Sequence, residues 1–342
     1  MRATFLAAAL TIGCLVGHQG LASEINLKPL NVVGNFEGRK GDVAVDISGI
    51  ACLAPETGKR TCLLVNDENR NAQLATLESD QITVGQTVAL IGKDPDPSTL
   101  GTAPEVKCDG GSDGFKDLDG EGVAYADAFF YVIGSHGCSR KSDEFRLSSF
   151  ILAQVSSDPP HRVRTTYRIS DLLNKSDKVK PFFGASLQSG NGLNIEGVAA
   201  IGDTLWVGLR APVSGEAYLV HGSISELFHP GHDQAVTTVH TVGLKLEGRG
   251  IRDLAPLPDG RILVLAGPAQ DQDVSYKLYI ANPATRAEAA IGTLQTVSQG
   301  GKAGKAEGLT VLDVAGNKAE VLVVFDGLKN GAPHSGEIDL PQ

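Results

Sequence analysis

The chain has 342 residues, enough for two ordinary domains or one large all-β domain, and its 42% apolar content excludes disorder as the default state. A net charge of −10 argues against a nucleic-acid partner or an anionic membrane surface, both of which need clustered Lys and Arg. With 41 glycines but a single Met and a single Trp, the composition suits many short strands joined by tight turns.

The first residues read as a targeting segment. Arg2 precedes an apolar run over residues 5–16, and small residues lead to a cleavage site near Ala22 or Ser23. This gives a signal peptide over residues 1–23, a single domain over residues 24–342, and a periplasmic or secreted location. The run is too short to span a bilayer, and no later segment is apolar for long enough. Gly13-Cys14 hints at a lipoprotein site, but Thr11 stands where such sites carry Leu, so cleavage without lipidation is the reading adopted. Export leaves Cys52, Cys62, Cys108 and Cys138 in an oxidising compartment, where an even number favours disulfides over a metal cage. Four cysteines allow three pairings. Cys52 and Cys62 flank the turn Glu56-Thr57-Gly58 symmetrically, which favours their pairing and leaves Cys108 with Cys138.

A strand over residues 25–33 comes next and has no partner nearby. Five copies of one motif follow: Ile47-Ser48-Gly49-Ile50-Ala51, Gly120-Glu121-Gly122-Val123-Ala124, Ile195-Glu196-Gly197-Val198-Ala199, Ile251-Arg252-Asp253-Leu254-Ala255 and Ala306-Glu307-Gly308-Leu309-Thr310. Each leads through a turn into a more hydrophobic strand such as Leu205-Trp206-Val207-Gly208 or Val321-Leu322-Val323-Val324. Third and fourth strands follow in most copies, at residues 149–155 and 162–167, 217–220 and 236–242, and 276–280 and 290–294. Repeats of four antiparallel strands in a radial array make a β-propeller, which protects its strand edges. The markers at 49, 122, 197, 253 and 308 are spaced by 73, 75, 56 and 55, giving five blades. Six remain an alternative if a long spacing hides a degenerate blade. A helical insertion near residues 169–179 and the loop over residues 93–119 account for the excess length. The last copy lacks a fourth strand, so the N-terminal strand is expected to pair with the C-terminal strands and close the ring. A β-sandwich followed by a second β domain would explain the strands but not the recurring motif.

The aligned motifs, among them Asp119-Gly120-Glu121-Gly122, Gly192-Leu193-Asn194-Ile195-Glu196-Gly197, Gly250-Ile251-Arg252-Asp253 and Glu307-Gly308-Leu309, resemble the bacterial domain-of-unknown-function 3616 family. The chain also resembles, more distantly, the propeller family named for the esterase-like activity of phytase. The resemblance implies the propeller and transfers no catalytic residues. Gly120 between Asp119 and Glu121 departs from the motif and puts the shape of that loop in question.

First strands line the channel of a propeller, so Ser48, Glu121, Glu196, Arg252 with Asp253, and Glu307 should converge there. The ends of the second strands add Asp67, Ser135, His136, Arg210 and Asp326, although Ser135 and His136 should point to opposite faces. Burying so many charges costs on the order of several kcal/mol each unless they pair. Several uses of this ring stay open. It is a salt-bridged hub, or it binds a small ligand or cation. In the binding case Arg210 and Arg252 hold an anionic or sugar-like molecule, and acids such as Asp67 and Asp326 hold calcium through hard oxygen ligands. A hydrolase would use His136 or a glutamate as general base with a metal-activated water. A serine hydrolase is disfavoured because no Gly-x-Ser-x-Gly elbow occurs, and a last alternative is an interaction scaffold that uses one face. A monomer is expected. The Asp/Gly-rich stretch 109–121 lacks calcium-loop spacing and reads as a solvated loop. His229, His232 and Asp233 read as an exposed turn, and residues 300–305 do not form a Walker loop.

Overall fold

Five antiparallel sheets form in sequence order in the computed structural model, which describes residues 23–232 and 236–341. Blade 1 contains Ile47–Cys52, Lys59–Asn66, Asn71–Glu78 and Gln81–Ala89. Blade 2 contains Gly120–Ala126, Phe129–Gly134, Leu152–Ser156 and Val163–Thr166. Blade 3 is Asn194–Ile201, Thr204–Ala211, Ala217–Ser223 and His240–Leu244; blade 4 is Gly250–Pro256, Ile262–Gly267, Lys277–Asn282 and Ala287–Leu294. Blade 5 has Lys305–Ala315, Lys318–Asp326 and His334–Asp339. The first strands of successive blades touch all the way round, with blade 5 returning to blade 1. The chain is a five-bladed β-propeller.

The second strands read as continuous apolar runs because both of their faces are buried. In blade 3, Leu205, Val207 and Leu209 pack toward blade 2, while Trp206 packs toward blade 4. In blade 1, Leu63 and Val65 face blade 2, and Cys62 and Leu64 face blade 5. Five apolar clusters result, one in each gap between blades. The expected helix is Ile169–Lys175, packed into the gap between blades 2 and 3 through Ile169, Leu172 and Leu173. Both expected disulfides, Cys52–Cys62 and Cys108–Cys138, are formed, which suits an oxidising compartment. The leader and Cys14 lie outside the described residues. Among the described residues no helix is long and apolar enough to cross a membrane.

The N-terminal segment departs from expectation. It is not one strand on the C-terminal blade but three short ones threaded round the rim. Ser23–Ile25 runs parallel to residues 292–294 of blade 4, Lys28–Pro29 pairs antiparallel with Ser335 and His334 of blade 5, and Asn31–Val33 runs parallel to residues 81–83 of blade 1. Pro29 has no N–H to continue a ladder, so the pairing with blade 5 is brief. In blade 3 the fourth strand is His240–Leu244, displaced from the expected residues 236–242. In blade 2, Leu147–Phe150 is a short 3-10 turn and the strand begins only at Leu152.

The motif has a mechanical basis. The register of each first strand slips by one residue against its second strand, skipping Ser48, Glu121, Glu196, Arg252 and Glu307 in turn. Each skipped residue is the extra residue of a β-bulge, which turns its side chain out of the ladder. The residue after it must let the neighbouring blade approach. A Cβ on Gly49 would come within 2.8 Å of Gly122 Cα, one on Gly122 within 2.9 Å of Glu196 O, and one on Gly197 within 3.0 Å of Asp253 Cα. Gly120 belongs to the bulge of blade 2 and packs on Val65, leaving Asp119 at a positive φ of 54°.

Gly122→Ala should therefore lower stability by about 1–3 kcal/mol through overpacking against rigid backbone. A denaturant melt would read this as a lower midpoint with unchanged slope; an unchanged midpoint would rule out the close approach.

Candidate functional site

A cavity of about 550 Å³ opens at one end of the channel. The bulge residues Glu121, Glu196 and Glu307 line it, as do Asp67, Arg210 and Asp326 from the second strands. Sequence reasoning missed a further tier two residues before the bulge, namely Asp46, Asp119, Asn194 and Lys305. The two-residue period of a strand puts these side chains on the same side as the bulge residues, and that spacing was the available signal. Lys302, in the segment set aside as no phosphate loop, also lines the cavity.

Five members of the expected ring, Ser48, Ser135, His136, Arg252 and Asp253, do not line this cavity, and Ser48 is buried at 2% exposure. His136 is fully buried beside Phe150, with ring centroids 5.5 Å apart, and its Nδ1 lies 2.8 Å from Gly134 O. It sits at φ 51° just past the strand end, and burial pulls its pKa down to about 4. Its neighbour Ser135 takes the inward position and donates to Asp119. Both residues lie past the end of the strand Phe129–Gly134, so strand alternation does not govern them, and His136 is not part of the channel ring. Asp253 is buried beneath the cavity and accepts the N–H groups of Leu254 at 2.8 Å and Leu309 at 2.6 Å, with a third bond from Val198. It fastens blades 3, 4 and 5 together. Arg252 lies just under the cavity, 2% exposed.

The charges divide the ring into two halves. On the side of blades 3 to 5, Arg252 bridges Glu196 at 2.9 Å and Glu307, and Arg210 binds the other Glu196 oxygen at 2.8 Å. Arg210 also donates to Ala269 O at 3.0 Å, and Arg252 to Pro268 O at 3.3 Å. Burial works against the Arg252 charge, but Glu196 and Glu307 outweigh it and raise its pKa. This half is a compensated hub.

The side of blades 1 and 2 is acidic. Burial, then the nearby Asp119 and Asp46 charges, pushes Asp67 up to about 9. Burial, with Glu196 and Asp119 close by, holds Glu121 well above the carboxylate range. Burial raises Asp119 despite the Ser135 hydrogen bond. Burial and contact with Asp326 take Asp46 to about 6. Glu307, at the boundary, reaches about 7 because burial outweighs its pairing with Arg252. Asp67 Oδ1 and Asn194 Oδ1 are buried without a hydrogen-bond partner. Asp326 is held by Lys305. Among the described residues no three His, Cys, Asp or Glu side chains converge as a metal centre, so the calcium ligand set expected around Asp67 and Asp326 is not preformed. His229 is exposed with its ring beside Pro230 O, and Asp233 lies outside the described residues.

Fold and cavity together define a five-bladed propeller with an ionisable channel. Residues 161–336 match the family described as protein of unknown function (DUF3616), and the chain belongs to that family. No curated protein matches it. Among solved structures it is similar to a GH43 β-1,3-galactosidase, BT0265, at 8% identity and a TM-score of 0.47, over 91% of this chain and 59% of that one. An exo-β-1,3-galactanase from Clostridium thermocellum gives 9% and 0.46 over 91% and 62%, and a mannose phosphorylase from Leishmania mexicana 14% and 0.43 over 92% and 88%. The chain thus spans about 60% of the length of the two galactan-directed enzymes.

Raised folded-state values mean that protonation favours the fold. Stability from Asp67 and Glu121 is complete below their unfolded value of about 4 and is lost as pH climbs through their folded values, to about 9 for Asp67. Asp67→Asn and Glu121→Gln, neutral at every pH, should therefore match wild type at pH 4 and melt at higher temperature at pH 8. Variants that melt lower at pH 8 would show that these carboxylates stabilise the fold as anions.

Proposed function

We propose that this propeller binds a small ligand in its channel through a positively charged group seated on the acidic half. The observation that carries this reading is the environment of Asp67 and Glu121. Every charged group acting strongly on either one is another carboxylate, whereas Glu196 and Glu307 across the channel have Arg252. Leaving acids without cations is costly in a buried site, and a bound cation would supply the missing charge and take up the free acceptor atoms of Asp67 and Asn194. The cavity volume suits a small organic molecule better than a bare ion. Calcium is the second reading, favoured only by the hard oxygen acceptors left free on Asp67 and Asn194, since no set of three carboxylates is preformed for it among the described residues.

Binding must displace protons from these acids, so affinity should rise with pH. Isothermal titration with 1,5-diaminopentane should show at least ten-fold tighter binding at pH 9 than at pH 6, and proton release at pH 7.5 seen as a dependence on buffer ionisation enthalpy. Asp67→Asn and Glu121→Gln should each weaken binding about ten-fold or more. Binding that ignores both pH and these substitutions would sink the proposal, as would its absence at every pH together with no stabilisation by calcium.

A further inference from the structure

We infer that the ligand is a small zwitterion, its ammonium group deep against Asp67, Glu121 and Asn194 and its acid group at the mouth beside Lys141 and Lys302. This rests on the reading above and specifies the molecule. Two independent features of the cavity support it.

The first is the acidic side of the lining, where Asp67 and Asn194 present free acceptors beside the unpartnered Arg146 Nε donor. Asn194 is 7% exposed and lines the cavity, yet its Oδ1 has no partner. Asp67 Oδ1 is likewise unmet. An ammonium group has three donors and no acceptor, which matches such a set. The second is the mouth. Lys141 and Lys302 are exposed, line the same cavity, and form no ion pair among the described residues. Other cations at the cavity are already engaged: Arg140 by Asp271, Lys305 by Asp326, Arg210 by Glu196. The two free lysines thus leave a positive rim over an acidic floor. A diammonium ligand would set its outer charge against that rim, and a diacid would set its inner charge against the floor. A molecule with one charge of each sign satisfies both ends. The lining has no aromatic side chain among the described residues, so recognition depends on charge and hydrogen bonds rather than ring stacking.

The test compares three five-carbon probes by titration calorimetry on the full-length protein at pH 8: 5-aminopentanoate, 1,5-diaminopentane and glutarate, with calcium alone as a fourth. The zwitterion should bind at least ten-fold tighter than the diamine, and glutarate should not bind. Lys141→Ala with Lys302→Ala, both at exposed positions, should weaken the zwitterion and tighten the diamine, so that the zwitterion's advantage disappears. Equal or tighter binding of the diamine would overturn the zwitterion and leave the cationic site standing. Binding of calcium alone would overturn it in favour of a metal site. Binding of no probe would overturn both.

Discussion

Backbone-to-backbone contact between the first strands is the constraint on which the rest of this propeller depends. Gly49, Gly122 and Gly197 sit where the next blade's main chain leaves no room for a Cβ. The ladder accommodates this approach with a bulge, and the bulge forces out the preceding residue. One local irregularity, repeated around the ring, therefore packs the blades and supplies the channel with its side chains. In the fourth blade Asp253 replaces glycine, and its carboxylate collects backbone N–H groups from its own blade and both neighbours. The contact that elsewhere is made by removing a side chain is made there by hydrogen bonds.

The same geometry explains why the channel is electrically lopsided. Only one bulge carries a cation, Arg252, and a single guanidinium reaches Glu196 and Glu307 but leaves Asp67 and Glu121 among other carboxylates; Asp119 and Asp46 feel only Arg146 and Lys302, which do not offset their burial. Paired charges in a buried site roughly offset their desolvation, whereas unpaired ones hold protons instead. The Arg252 half therefore stabilises the ring, while the acidic half costs stability at neutral pH.

Much of this was legible in the sequence because it repeats. The five motif copies locate the first strands, the apolar runs after them mark strands buried on both faces, and the symmetric turn between Cys52 and Cys62 fixes one disulfide. The bulge was not legible, since nothing in Glu196-Gly197 announces that the register slips there. Asp46, Asp119, Asn194 and Lys305 escaped notice because their residue types differ from blade to blade; only their spacing from the bulge is constant. His136 was misplaced because the chain turns through a left-handed conformation just after Gly134, which carries its ring against Phe150. The N-terminal segment was misread as one strand because its three partners belong to blades far apart in sequence.

The central claim is that Asp67 and Glu121 hold protons at neutral pH while Arg252 stays charged between its glutamates. Carbon-13 NMR of the side-chain carboxyls, followed from pH 3 to pH 10, reads this directly. The account predicts an Asp67 midpoint near 9, a Glu307 midpoint near 7 and a Glu121 midpoint well above the usual range. Midpoints near 4 for all three would contradict it.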